Sequence, residues 1–186
     1  MLIFRSILCL ICFAFVSCSK SNPPQKKSEK VALADKVSRE CAKTLSKKYG
    51  MAQCGEGGKM MYEIESLFLA FQIYRPLSKE KAREILIDCA HEVISSVNNN
   101  QEIQKYLLPG GFNEKSVQIQ IYIKPDHKTP YFPDLSVCAY NFGKLGYHTN
   151  DPEDEYRYKT SERETYEEAI ALLGGEVVEG GLRESE

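Results

Sequence analysis

The sequence predicts an α+β fold, an antiparallel sheet of about four strands with two or three helices packed on it. Three observations carry that expectation. Ala82, Ile85, Leu86, Cys89, Val93 and Val97 recur at helical spacing on one face. "SVQIQIYIK" alternates cleanly, with Val117, Ile119, Ile121 and Ile123 inward and Gln118, Gln120 and Lys124 outward. The strand-like segments after that helix follow one another directly, without helices between them.

Taken in order, the folded part begins near residue 31. Val37, Cys41 and Leu45 form the stripe of an amphipathic helix that ends at Tyr49-Gly50. "CGEGGKMM" reads as a glycine turn. It leads into a strand in which Leu67, Leu69, Phe71 and Ile73 alternate with Phe68, Ala70 and Gln72, largely apolar on both faces as in a central strand. Pro76 ends that strand, Ser78 caps the second helix, and Asn98-Asn99-Asn100 breaks it. Gln101–Leu107 adds a short helical turn before Pro109-Gly110-Gly111. "LSVCAYNFGKLGYHT" predicts a hairpin turning near Gly143. Ser161-Glu162-Arg163-Glu164 has the form of a capping box and predicts a last helix to Leu173. One domain therefore spans 31–173, and the acidic residues 174–186 are expected to form a disordered tail.

A different kind of segment precedes the domain. Ile7–Val16 (ILCLICFAFV) is apolar with Arg5 ahead of it, too short to span a bilayer but sized for the apolar region of a secretory signal. Phe15-Val16-Ser17-Cys18 resembles the lipobox of bacterial lipoproteins, with Phe15 where that family usually carries Leu. The resemblance implies removal of residues 1–17, a lipid on the Cys18 thiol and attachment to the membrane through it. Ser19 after the cysteine carries no inner-membrane retention signal in such proteins, which implies the outer membrane. Residues 18–30, nearly devoid of apolar side chains, then read as a tether. "GGKMM", "YRPLSKEKARE" and "DPEDEYRYKTSERETYEEA" resemble an uncharacterised family of small exported proteins of intracellular bacteria. That likeness implies an envelope setting and transfers no site residue.

Charge narrows the partners. With 24 Lys+Arg against 26 Asp+Glu the net charge is −2, which argues against a general nucleic-acid binder. Residues 19–60 carry ten basic and four acidic groups, whereas residues 151–186 carry four basic and twelve acidic ones. A basic membrane-proximal segment suits an anionic lipid surface.

Of the seven cysteines, Cys41, Cys54, Cys89 and Cys138 remain in the domain. Four cysteines permit three pairings, and an oxidising envelope favours forming them. The economical choice is Cys41–Cys54 with Cys89–Cys138, and buried free thiols are the alternative. None of the four belongs to a C-x-x-C or has a histidine at ligand spacing, so no metal site and no cofactor are expected.

Few residues are candidates for chemistry. "CGEGGK" ends in Lys59 but lacks the spacing and the Ser/Thr of a phosphate loop, and its flanking elements come in the wrong order. Gly55, Gly57, Gly58 and Lys59 are therefore held only as residues that could line a ligand site. Ser78-Lys79-Glu80-Lys81 matches S-x-x-K without its partner motifs. His148 lies near Asp151 in sequence and joins the ligand-binding candidates, although no nucleophile motif accompanies it. "NDPEDE" lacks the spacing of a calcium loop and reads as a turn. Tyr131, Tyr140, Tyr147, Tyr156 and Tyr158, with Phe132 and Phe142, gather about the hairpin and its downstream segment, either as core or as a contact surface. The function these observations favour is a lipid-anchored interaction or assembly module that binds an envelope or host protein. A small ligand-binding or hydrolase-like domain using the glycine turn and His148 is the alternative.

Overall fold

The computed structural model describes residues 28–174. The expected signal segment, Cys18, the tether up to residue 27 and the tail from residue 175 lie outside the described residues.

Helix α1 spans Glu29–Tyr49, starting two residues earlier than its apolar stripe suggests because Ser28 is its N-cap, accepting from the Val31 N–H. It buries Ala34, Val37, Cys41, Ala42 and Leu45, and Gly50 ends it at φ 61. Strands β1 (Met51–Lys59) and β2 (Ser66–Ile73) follow, then helix α2 (Lys79–Asn98), capped by Ser78. Strands β3 (Val117–Ile123), β4 (Val137–Asn141), β5 (Lys144–Asp151) and β6 (Asp154–Thr165) run consecutively, and helix α3 (Tyr166–Leu172) closes the described chain.

The α+β class holds, but the sheet is larger and mixed. Its six strands lie side by side in sequence order. β2 and β3 are parallel, joined over the sheet by α2, and every other neighbouring pair is antiparallel. The two unexpected strands are the edges. β1 is the segment read as a glycine turn; at an edge it needs no apolar alternation, and its burial is slight beyond Met51. β6 holds Ser161–Glu164, so the apparent capping box there is strand, and the helix starts one S/T-x-x-E motif later. Thr165 accepts from the Glu168 N–H, while the Glu168 carboxylate accepts from the Thr165 N–H. The later motif wins because Ala169 and Ile170 follow it and can be buried, whereas Glu164 is needed elsewhere.

All three helices pack on one face of the sheet. α1 contacts β1 and β2, α2 contacts β3 and β4 and reaches β5, and α3 contacts β5 and β6. Leu67, Leu69, Phe71 and Ile73 of β2, the four inward residues of β3, Cys138 and Tyr140 of β4, and Leu145 and Tyr147 of β5 meet the helices in one core. Among the described residues no helix is long and apolar enough to cross a membrane.

The glycines of β1 have packing reasons. A Cβ on Gly55 would stand 3.3 Å from the Ala70 Cβ and 3.7 Å from the Phe68 ring, and one on Gly58 would meet the Ser66 carbonyl oxygen at 2.2 Å. Phe68 thus lies across the glycine edge strand, and the β1–β2 approach at Gly58 excludes any side chain.

Candidate functional site

No described helix packs on the face away from α1, α2 and α3. Its centre is a row of mostly small residues set by the strand register: Gly55, Ala70, Gln120, Ala139 and Gly146, ending at Arg163 on β6. Toward one end this floor opens into a cleft of about 250 Å³, lined among others by Tyr122, Lys124, Thr129, Asn150, Arg157 and Tyr158.

One wall is the connection from β3 to β4. It leaves β3 with the Lys124 N–H donating to the Ile73 carbonyl at 2.8 Å, then bends through Asp126 and His127 at positive φ (49 and 62). The His127 ring rests on Tyr74 at 4.3 Å between centroids. Farther on, the Ser136 hydroxyl donates to the Pro130 carbonyl at 2.7 Å and accepts from the Asn150 N–H at 2.9 Å, while the Phe132 N–H donates to the Asn150 carbonyl. These bonds lash the connection to β5.

The other wall is the β5–β6 hairpin. Its Asp151 side chain is 1% exposed and receives Arg157 through Nε at 3.1 Å and Nη2 at 2.6 Å, with the Glu153 N–H as a further donor. The Arg157 bonds hold the Asp151 carboxyl below its ordinary range. This clamp fixes the backbone that presents Tyr156 and Tyr158. Tyr158 is additionally held by stacking on His148, 4.5 Å between centroids with 19° between planes.

The electrostatics of the cleft are one-sided. Asp151 is occupied by Arg157, and partly buried Lys124 makes no ion pair among the described residues. His148 Nδ1 is buried without a hydrogen-bond partner, and burial first, then Arg163, lower its pKa, so the ring is neutral at neutral pH. The cleft can therefore bind through cations, tyrosine faces and hydroxyls.

The sequence-predicted residues scatter. His148 does not line this cleft but stacks on Tyr158, which does, and its expected carboxylate partner Asp151 belongs to Arg157. That removes the His–carboxylate pair on which a hydrolase would depend. Gly55, Gly57, Gly58 and Lys59 are on edge strand β1, four interstrand spacings from β5, or roughly 19 Å. The Lys59 ammonium is paired with Glu65 at 2.5 Å. A single site combining the glycines with His148 is excluded by the strand order. Among the tyrosines, Tyr140 and Tyr147 are core, whereas Tyr131, Tyr156 and Tyr158 are exposed. The sequence reading missed Lys124, Arg157 and Tyr122. Its available signals were a lysine directly after the last inward residue of the cleanest strand and the Tyr-Arg-Tyr run at 156–158.

Among the described residues Cys41, Cys54, Cys89 and Cys138 form no disulfide. Cys41 faces α2 beside Ser96 and Glu92, while Cys54 is exposed at the bulge of β1 near Lys124, so the first expected pair occupies separate neighbourhoods. Cys89 and Cys138 are both buried in the core; burial pushes Cys138 up to about 12. No group of three or more His, Cys, Asp or Glu residues that could hold a metal is formed among the described residues.

No protein-family model, curated protein or solved structure matches the chain.

Proposed function

We propose that the chain is a lipid-anchored interaction module of the cell envelope, attached to the outer membrane through Cys18, which docks an envelope or host protein on the sheet face opposite its helices. The observation that carries this reading is the one-sided architecture: three helices cover one face of a six-stranded sheet, and no described helix lies on the other. Exposed aromatic side chains, Tyr131, Phe132, Tyr156 and Tyr158 among them, suit a contact surface. The anchor itself is supported by the lipobox-like residues 15–18 and the polar segment after them.

A photocrosslinking residue at Gln120, in the centre of the open face, tests the docking in intact cells. Crosslinks from Gln120 to one partner, with none from Lys43 on the outside of α1, are expected. Equal crosslinking from both positions, or none from Gln120, refutes the docking face. For the anchor, Cys18→Ala is expected to leave an unprocessed precursor that takes up no fatty-acid label; equal labelling of the variant rules Cys18 out.

A second reading is favoured by the cleft: the domain also takes a small ligand between the β3–β4 connection and the β5–β6 hairpin. Its residues differ from those of the glycine turn, and it requires no catalysis.

A further inference from the structure

We infer that the cleft is a binding site for an acidic sugar, a pyranose ring bearing a carboxylate. The inference rests on the second reading above and not on protein docking.

Size sets the first limit. At about 250 Å³ the cleft lies below the ~300–1,000 Å³ of pockets that engulf drug-sized ligands, and it suits one ring approached from an open side. An open cleft also lets a ring that belongs to a longer chain enter without threading.

Charge sets the second. Lys124 is partly buried and has no carboxylate partner among the described residues, so it lacks the compensation that a shielded cation ordinarily finds. Arg157, which also lines the cleft, spends Nε and Nη2 on Asp151, which fixes the plane of its guanidinium and leaves Nη1 to donate. A cleft lined by two cations, one neutralised by Asp151 and one without a carboxylate partner among the described residues, favours a ligand with a single negative charge. A phosphate dianion would want more donors than this. The turn at Asp126 and His127 does not supply them, because the N–H groups of His127 and Lys128 already donate to the carbonyls of Lys124 and Pro125.

The remaining lining sets the third. Tyr122 and Tyr158 offer ring faces beside hydroxyls that make no hydrogen bond among the described residues, and the Asn150 amide is likewise uncommitted. Ring faces interleaved with free hydroxyl and amide groups match a pyranose, which is apolar on its C–H faces and hydroxylated around its edge. A flat aromatic carboxylate would use the faces and leave those polar groups unpaired. His148 contributes as a positioning residue, holding Tyr158 by its stack.

The test is calorimetric titration of the full chain in detergent micelles with glucuronate, glucose, benzoate and inorganic phosphate. Glucuronate is expected to bind at least about tenfold more tightly than each of the other three. Lys124→Gln is expected to lower glucuronate affinity about tenfold, with an unchanged melting temperature and unchanged weak binding of glucose. Tyr158→Leu is expected to weaken glucuronate and glucose together. Glucose or benzoate matching glucuronate, phosphate binding more tightly, or indifference to Lys124→Gln each overturns the proposal. So does an absence of glucuronate binding. Crosslinking from Gln120 is unaffected by any of these results, so failure of the sugar site and failure of the docking face are told apart.

Discussion

At the level of single residues, the hairpin between β4 and β5 carries an identifiable strain. Phe142 has φ 52 and Gly143 has φ 82, the double left-handed turn that matches strand twist. A phenylalanine there costs about 1 kcal/mol relative to a residue at ease with that conformation. Its side chain is 46% exposed and returns little of that through packing. Phe142→Asn is therefore expected to raise stability by roughly 0.5–1 kcal/mol, seen as a higher urea midpoint at unchanged slope. A lower midpoint would show that the ring packs better than its exposure indicates.

The glycines of β1 give a sharper contrast. Gly58→Ala forces a methyl against the Ser66 carbonyl and is expected to destabilise by about 1–3 kcal/mol, an overpacking cost. Gly57→Ala meets nothing nearer than the Phe68 ring at 4.0 Å and is expected to be neutral or mildly stabilising. Equal effects in thermal melts would mean that the strand is held by something other than backbone approach. From the sequence, "CGEGGK" reads as a turn that could line a ligand site, because glycine does not say whether a turn, a ligand or a neighbouring strand requires it. That ambiguity, together with a lone lysine and an isolated Tyr-Arg-Tyr run whose partners come from another loop, is why most of the cleft was not legible. Only His148 and the exposed tyrosines pointed toward it.

Among the elements, β6 is pinned to α2 by a buried cluster. Arg83 donates from Nε and Nη2 to Glu164 at 2.7 and 2.9 Å, the Tyr147 hydroxyl donates to the same carboxylate, and the two ionic side chains are only 9% and 8% exposed. Lys79 reaches Glu162 alongside at 2.6 Å. Removing one member leaves a shielded charge unpaired, so Glu164→Ala is expected to cost about 3 kcal/mol. Arg83→Met combined with Glu164→Leu is expected to recover most of that loss, since the pair is replaced by apolar packing. Chemical denaturation of the two variants checks this, and equal losses in both would refute the unpaired-charge account. The cluster also explains the misplaced helix start. A capping box written as Ser161…Glu164 is indistinguishable in sequence from a strand whose glutamate answers an arginine 81 residues away. Interior elements were legible because burial imposes a period on them. The edge strands β1 and β6 carry no such period, and so they were read as a turn and a helix cap.

For the molecule as a whole, pH acts through two histidines on opposite faces of the sheet. Burial lowers the pKa of His91, whose Nε2 lies 2.7 Å from the Tyr166 hydroxyl, and burial followed by Arg163 lowers that of His148. A histidine with a depressed folded pKa contributes stability that is fully present above its unfolded value, ~6.5. That contribution is lost as pH falls from there through the folded pKa. Unfolding midpoints are therefore expected to drop on acidification below about pH 6.5, before the carboxylates titrate. Burial pushes Glu164 up, but the bonds from Arg83 and Tyr147 together outweigh it and hold the carboxyl low, and Asp151 is held low by Arg157. Their contributions are lost only in a second, more acid window. The variant His91→Gln/His148→Gln is expected to flatten the first decline and leave the second. An unchanged first decline would assign it to other groups.

The sequential order of the six strands has a consequence for how the chain reaches this state. Every antiparallel neighbour is also the next strand made, and only the parallel β2–β3 pair must wait for an intervening helix. Topologies dominated by such short-range pairings have low contact order and fold fast for their size. A chain that emerges amino terminus first, whether from a ribosome or through a membrane pore, can add each strand to an existing edge as it appears. At every stage the growing sheet has a partner for the newest strand, and the interval in which an unpaired apolar edge can aggregate is confined to the passage of α2.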